Sequence, residues 1–314
     1  MTNARLAFVF PGQGSQQIGM LADAAAEFPE VHATFAEASD VLGYDLWDLC
    51  QKGEQADINL TERTQPLLLT ASVALYRVWC ARGGVHPALM AGHSLGEWSA
   101  LVCSGSLGFA DGVRLVRERG RLMQEAVPAG EGAMAAVIGL DDAAVEKACA
   151  DSAQGEVVAA VNYNSPGQVV IAGSKAAVER AIEACKAAGA KRAMPLPVSA
   201  PFHTELMRPA AEKLAPQIEA TTFHVPEIAV IHNVHAKPEA DPEAIKQLMV
   251  EQIYSPVRWT ACVQAMAASG IAELVECGPG KVLSGLAKRI DRGLSSHNIE
   301  SPAQLNEALV ATAE

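Results

Sequence analysis

The chain has 314 residues, half of them hydrophobic and 19% charged, so it can bury a large core and is not intrinsically disordered. Its formal net charge of −12 argues against a nucleic-acid-binding protein, and no apolar stretch approaches the length of a membrane-spanning helix. The seven cysteines contain no Cys-x-x-Cys pair, so we expect buried thiols in the reducing cytoplasm.

The first predicted strand, 6–10, is a continuous apolar run, which is typical of a strand buried on both faces. It ends in Pro11-Gly12-Gln13-Gly14, a loop rich in backbone N–H donors. Two interpretations are open: a tight turn, or one wall of an active site to which Gln13 supplies a backbone N–H. Helical spacing follows over 29–50 and 64–79, and the second run is apolar nearly all round, so we expect it to pack on the sheet.

The sequence Gly92-His93-Ser94-Leu95-Gly96 lies between a short apolar run, 88–91, and a helical run, 97–103. A strand, Gly-x-Ser-x-Gly and a helix form the context of a nucleophile elbow. The glycines permit the sharp turn, and the Leu95 N–H at the start of a helix favours a developing anion. Because the five-residue pattern also occurs by chance, the prediction depends on the flanking strand and helix.

The helix predicted over 109–126 carries several arginines. Arg117 and Arg121 share one face, whereas Arg119 lies closer to the apolar stripe of this helix. Most of these side chains are explained by a solvated helix face. Arg119, if buried, would need an anionic partner, and a substrate carboxylate would serve.

Between the prolines at 128 and 197 the predicted elements follow the order β-α-β-β-α-β, which is typical of a ferredoxin-like unit. Its predicted strands are 133–138, 157–162, 168–172 and 192–196, and its helices are 141–153 and 175–188. Strands and helices alternate again after residue 205. We therefore predict an α/β fold: a large α/β-hydrolase-like domain with a parallel sheet, 1–128 and 199–314, and an inserted ferredoxin-like domain, 129–198. The active site should lie in the cleft between them.

Ser94 requires a general base, which is most often histidine. His203 is favoured because it follows a proline at a strand-to-helix junction, where the chain can return a side chain to the sheet edge. His93 is expected to hold the elbow by a hydrogen bond. His232 and His235 should point their rings to opposite sides, and no cysteine or carboxylate lies at ligand spacing, so we predict no metal site.

Two other classes of protein share the serine motif. An α/β-hydrolase would use a Ser–Asp/Glu–His triad with His297 as the late histidine. However, one strand clearly precedes the elbow rather than several, and no His-Gly-Gly segment does. The other alternative is an interaction domain with an accidental motif, which an acyl thioester would not label.

Six segments resemble the malonyl-CoA:acyl carrier protein transacylases of bacterial fatty acid synthesis, whose wider relatives are the acyltransferase domains of polyketide synthases. They occur in order over nearly the whole chain: Phe10-Pro11-Gly12-Gln13-Gly14-Ser15-Gln16, Gly92-His93-Ser94-Leu95-Gly96-Glu97, Asn164-Ser165-Pro166-Gly167-Gln168, Pro201-Phe202-His203, Gln252-Ile253-Tyr254-Ser255-Pro256-Val257 and Glu276-Cys277-Gly278-Pro279-Gly280-Lys281. The chain departs from its relatives at Trp98, where they often carry tyrosine.

The resemblance implies that Ser94 is the nucleophile and His203 the base. It implies that the backbone carbonyl of Gln252 orients His203 in place of a triad aspartate. The backbone N–H groups of Gln13 and Leu95 would form the oxyanion hole.

For the substrate, the resemblance implies that Arg119 clamps the malonyl carboxylate. Gln252 and Asn164 complete the implied substrate-binding set. Arg192 is added from its charge at the end of the small domain, where it would lie near the CoA phosphates unless it is only part of the solvated surface. A buried arginine left unpaired by an acetyl group would discriminate strongly against that group.

The implied reaction is a ping-pong transfer from malonyl-CoA, through malonyl-Ser94, to the phosphopantetheine thiol of acyl carrier protein, with no metal or cofactor. The acidic carrier would dock at Lys288 and Arg289, unless these side chains are only part of a solvated helix face. We expect a cytoplasmic monomer. A polyketide-type acyltransferase and a serine hydrolase of acyl thioesters remain alternatives.

Overall fold

A computed structural model describes residues 1–198 and 200–314, over which the strands form a five-stranded and a four-stranded sheet. The strands are β1 Thr2–Phe10, β2 His86–Gly92, β3 Gly132–Ile138, β4 Val158–Ser165, β5 Gln168–Ser174, β6 Arg192–Pro195, β7 Ala229–Ile231, β8 Glu273–Glu276 and β9 Ser295–Asn298. The larger sheet has the order β7-β2-β1-β8-β9, and all of its neighbouring strands are parallel.

Helices pack against both sheets. They are α1 Ala22–Glu27, α2 Pro29–Leu42, α3 Leu46–Lys52, α4 Gln55–Ile58, α5 Thr61–Ala81, α6 Leu95–Cys103, α7 Phe109–Glu125, α8 Asp142–Ser152, α9 Lys175–Ala187, α10 Arg208–Glu219, α11 Pro242–Glu251, α12 Trp259–Ala268, α13 Val282–Ile290 and α14 Pro302–Ala311. Single 3₁₀ turns cover Glu205–Met207 and Gln252–Tyr254. Within the described residues, no helix is both long enough and apolar enough to cross a membrane.

Over residues 6–10 the central strand β1 is buried on both faces, as the continuous apolar sequence there predicts. Alternate residues point to opposite sides, so Phe8 packs with α5 and α6 while Val9 packs with α12 and α13. The Phe8 ring contacts Trp79 of α5 edge to face, with the centroids 5.2 Å apart. The parallel sheet is therefore covered by helices on both sides.

The smaller sheet is antiparallel, with the order β4-β5-β3-β6. Its core includes Val137, Ile171, Val178 and Ile182, with apolar residues of α8 and α9 packed on one face of the sheet. Together the two sheets confirm the predicted α/β fold with a parallel sheet and a small β-α-β-β-α-β unit. The domain limits remain a prediction, and Ser199, where the second part of the large domain should begin, lies outside the described residues.

Several element boundaries differ from the predicted ones. The helical run 29–50 is divided into α2 and α3, because Gly43 adopts a φ of 79° that ends α2 and Asp45 caps α3. Neither β9 nor α14 was predicted, since Ser-Ser-His-Asn has no apolar alternation and reads as a polar loop.

Phe10 of β1 pairs with Gly92 at the carboxyl end of β2. The loop after Phe10 and the turn at Ser94 consequently leave the parallel sheet at the same edge. Ligands bind at this edge in open α/β sheets, so the register places both segments where an active site is expected.

Candidate active site

Ser94 occupies a sharp turn between β2 and α6, with φ 53° and ψ −108°. The two flanking glycines are required by close backbone contacts: a Cβ at Gly92 would overlap the backbone of Gly96, and one at Gly96 would overlap the carbonyl of Phe10. This is the strand–turn–helix geometry of a nucleophile elbow.

His203 lies beside the serine, 109 residues further along the chain, with its Nε2 atom 2.8 Å from Ser94 Oγ. Its Nδ1 atom is 2.9 Å from the backbone oxygen of Gln252. A carbonyl oxygen can only accept, so Nδ1 carries the proton and Nε2 is free to accept from the Ser94 hydroxyl. His203 itself has a φ of 63°, so both partners are held in strained backbone conformations.

Burial and, next in size, the neighbouring Arg119 cation lower the pKa of His203 from 6.5 to about 3, against the opposing effect of the Gln252 carbonyl. The imidazole is therefore neutral near pH 7, the form in which it can accept a proton.

Arg119 is 1% exposed and reaches the same place from α7. Its Nη2 atom donates to Ser94 Oγ at 3.3 Å and to Gln252 Oε1 at 3.0 Å, while Nη1 donates to Gln65 Oε1 at 2.8 Å. Among residues 1–198 and 200–314, no carboxylate lies within 4.0 Å of this guanidinium. The buried cation is thus held by neutral oxygens and can pair with a ligand carboxylate.

A cavity of about 450 Å³ opens in front of these side chains. Gln13 and Leu95 line it, and Leu95 is the first residue of α6, where backbone N–H groups have no intrahelical partner. Residues of both sheet regions contribute to the wall, among them Ser94, Arg119 and His203 on one side and Met134, Asn162 and Leu196 on the other.

Three predicted substrate-binding residues, Gln252, Asn164 and Arg192, are not among the described residues that line this cavity. Asn164 accepts a hydrogen bond from His93 Nε2 at 2.7 Å, so His93 is indeed held in place beside the elbow. Arg192 is exposed on the edge strand β6. His297, the late histidine of the hydrolase alternative, lies on β9 and has Nε2 3.7 Å from Glu273 Oε1.

Residues 7–307 match the family model described as the acyl transferase domain. The chain belongs to the acyl transferase domain family. The malonyl CoA-acyl carrier protein transacylase of Escherichia coli strain K12 is 61% identical over 305 residues, covering 97% of this chain and 99% of that protein.

Solved structures of similar sequence have the same fold as this chain. An acyl carrier protein S-malonyltransferase from Vibrio cholerae superposes with a TM-score of 0.95 at 59% identity, covering 96% of this chain and 99% of that one. A malonyl-transacylase solved in complex with a holo type II polyketide acyl carrier protein gives 0.97 at 57% identity, covering 98% and 99%.

The geometry of this acyltransferase also includes residues that the sequence analysis did not assign. Asn233 Oδ1 accepts from the Ser94 backbone N–H at 2.9 Å, and Asn233 Nδ2 donates to the Gly92 oxygen at 2.7 Å. Glu97, 1% exposed, accepts from the Asn233 backbone N–H at 3.0 Å and from Gln252 Nε2. The signal for Glu97 was a charged residue in an otherwise apolar helix, whereas Asn233, 139 residues from Ser94, gave none.

His232 belongs to the same group of side chains, with Nδ1 2.7 Å from Glu97 Oε1. The His232 and His235 rings meet edge to face, with their centroids 6.0 Å apart, so the expectation that they point to opposite sides was wrong. No group of three His, Cys, Asp or Glu side chains that could hold a metal ion is found in the described part of the chain.

Proposed function

We propose that this acyltransferase transfers the malonyl group from malonyl-CoA to the phosphopantetheine thiol of acyl carrier protein, through a malonyl-Ser94 intermediate. The observation that carries the proposal is the buried Arg119 guanidinium 3.3 Å from Ser94 Oγ. An acyl group bound to this oxygen would end beside the cation, and an acyl group with a terminal carboxylate would complete a buried ion pair there.

In the first half-reaction Ser94 Oγ attacks the thioester carbonyl, and its proton passes to His203 Nε2. The backbone N–H groups of Leu95 and Gln13 bind the oxyanion that develops. The C–S bond then breaks, and the same proton goes from His203 to the leaving CoA sulfur.

In the second half-reaction the carrier thiol gives its proton to His203 and attacks the carbonyl of malonyl-Ser94. The C–Oγ bond breaks, and the proton returns to Ser94. The Gln252 carbonyl holds one imidazole orientation through both steps, since Nδ1 donates to it at 2.9 Å.

The malonyl carboxylate has a further effect on the base. Because the Arg119 cation helps to lower the pKa of His203, pairing that cation with a carboxylate raises the basicity of the imidazole. A substrate with the correct terminal group thus improves the base that activates the nucleophile.

The remaining assignments concern the ends of the substrate and the carrier. Arg192, exposed on β6, binds the CoA phosphates, and Asn164 supports the substrate-binding wall through His93. Lys288 and Arg289, exposed in the last turn of α13, form a docking surface for the acidic carrier.

The enzyme works as a cytoplasmic monomer without a cofactor. Its catalytic domain, 1–128 and 199–314, carries the small domain 129–198 as an insertion.

Mass spectrometry of the intact protein tests the proposal. Malonyl-CoA should add one malonyl mass to the wild type and none to Ser94→Ala, and adding holo carrier should move that mass to the carrier. A hydrolase would lose the increment without any carrier, and a binding protein would never acquire it. Fatty acid and polyketide carriers, used in parallel, identify the acceptor.

A further inference from the structure

Glu97 is a buried carboxylate in the first turn of α6 that takes no part in the proposed reaction. A buried carboxylate is costly unless donors surround it, and this one accepts two hydrogen bonds. They come from the Asn233 backbone N–H at 3.0 Å and from Gln252 Nε2, and the His232 ring lies beside the carboxylate with Nδ1 2.7 Å from Oε1.

The Gln252 side chain connects this carboxylate to the substrate-facing cation. Its Oε1 accepts from Arg119 Nη2 at 3.0 Å, while its Nε2 donates to Glu97. A guanidinium can only donate and a carboxylate can only accept, so the two charges together permit a single orientation of the amide. Reversing the amide would replace both of these hydrogen bonds by unfavourable contacts, donor against donor and acceptor against acceptor.

The same residue also holds the base, because the backbone oxygen of Gln252 accepts from His203 Nδ1. Gln252 Nε2 lies 2.9 Å from the Ser94 backbone oxygen as well. The position of one residue therefore sets the directions of the nucleophile turn, the base and the cation, and Glu97 holds the side chain of that residue from behind.

We propose that Glu97 is a positioning residue for acyl-group selection: through the Gln252 amide it holds the Arg119 guanidinium at Ser94 and supplies the counter-charge of that cation between turnovers. This inference rests on the proposed malonyl transfer. Burial lowers the pKa of Arg119 to about 10, and the Glu97 charge opposes that decrease.

Glu97→Gln, nearly the same shape without the charge, is the test. We expect self-acylation by malonyl-CoA to fall by about tenfold or more while acetylation by acetyl-CoA changes much less, because the amide can then reverse and release the guanidinium. The pH above which the malonylation rate decreases should also be lower than in the wild type, since Arg119 loses the anion that keeps it protonated. Rapid-quench rates with both thioesters, measured from about pH 7 to the Arg119 pKa of about 10, give both quantities.

Glu97→Asp keeps the charge and shortens the reach, so it should weaken malonylation but leave the alkaline limb near the wild-type pH. If the glutamine variant does not fold, the malonyl-to-acetyl ratio of Glu97→Asp tests the inference instead. Glu276→Gln is the matched control, because Glu276 is a buried carboxylate at the end of β8 that accepts from the start of α13. It should leave the malonyl-to-acetyl ratio unchanged.

Equal losses with both thioesters in either Glu97 variant would overturn the inference. So would a Glu97→Gln variant whose malonyl-to-acetyl ratio and alkaline pH dependence both match those of the wild type. The failure of the proposed function looks different, because the wild type itself would then acquire no malonyl mass on Ser94.

Discussion

The Nη2 atom of Arg119 lies 3.3 Å from Ser94 Oγ, in a position that is 1% exposed. The elbow serine is thus in direct contact with a side chain from another helix, 25 positions later in the chain. A buried guanidinium beside a nucleophile makes the reaction sensitive to the charge of the acyl group, and the first prediction follows from that contact.

Replacing Arg119 by alanine should reduce malonyl loading by about 10²–10⁴-fold, because one half of a buried ion pair left alone costs about 3–5 kcal/mol. Acetyl loading should rise, since no unpaired cation remains beside the neutral acyl group. The measurement is the rate of adduct formation with each thioester. Arg121→Ala is the matched control, because this side chain on the same helix pairs with Glu118 and Glu125 at the surface. An unchanged malonyl preference in Arg119→Ala would refute the clamp.

The His203 imidazole should remain neutral well below the ordinary histidine pKa of 6.5, because its pKa is lowered to about 3 by burial and by the Arg119 cation. The unfolded chain takes up this proton first, so the stability that the neutral ring contributes above pH 6.5 is lost as the pH falls toward 3. In Arg119→Gln the pKa should increase, since a nearby positive charge is removed. Nitrogen-15 NMR of the ring measures both titrations, and a wild-type midpoint near 6.5 would contradict the assignment.

The buried Glu276 carboxyl should make stability depend on pH in the opposite direction. Burial raises its pKa from 4.5 to about 7, against donors from Ser284 and Leu283. The folded state therefore holds this proton more tightly, and stability is lost as the pH rises from 4.5 through 7, by up to about 3.5 kcal/mol at about 1.4 kcal/mol per pKa unit. Urea denaturation at several pH values should show this loss in the wild type and a smaller one in Glu276→Gln. If the stability of the two proteins changed with pH in the same way, Glu276 would not be the group responsible.

Charge reversal at the proposed docking surface should separate the two half-reactions. Lys288→Glu with Arg289→Glu should raise the KM for the carrier about tenfold or more, since attraction between the acidic carrier and this helix becomes repulsion. Loading from malonyl-CoA should be unchanged, because neither side chain lines the cavity. Lys213→Glu, an exposed change on α10, is the control. Equal effects on both half-reactions would place the carrier elsewhere.

Local rules were sufficient for much of the fold. Patterns within a few residues predict three of its features. These are the apolar strand β1, the helix that Asp141 caps, and the order of elements in the small β-α-β-β-α-β unit. The prediction was wrong where local signals conflict or are missing, as at Gly43 inside a helical run. It also missed the polar edge strand β9, whose parallel pairing with β8 depends on a distant neighbour.

The sequence by itself determined the elbow, because only glycine fits on both sides of Ser94 and this requirement is visible in five consecutive residues. It also singled out Arg119 by its position near an apolar stripe. The tertiary structure alone decided that the amide of Gln252 lies between the Arg119 cation and the Glu97 carboxylate, and that Asn233 supports the turn. Such contacts join residues 133 to 155 positions apart, and hydrogen-bond partners at that separation leave no periodic trace in the chain.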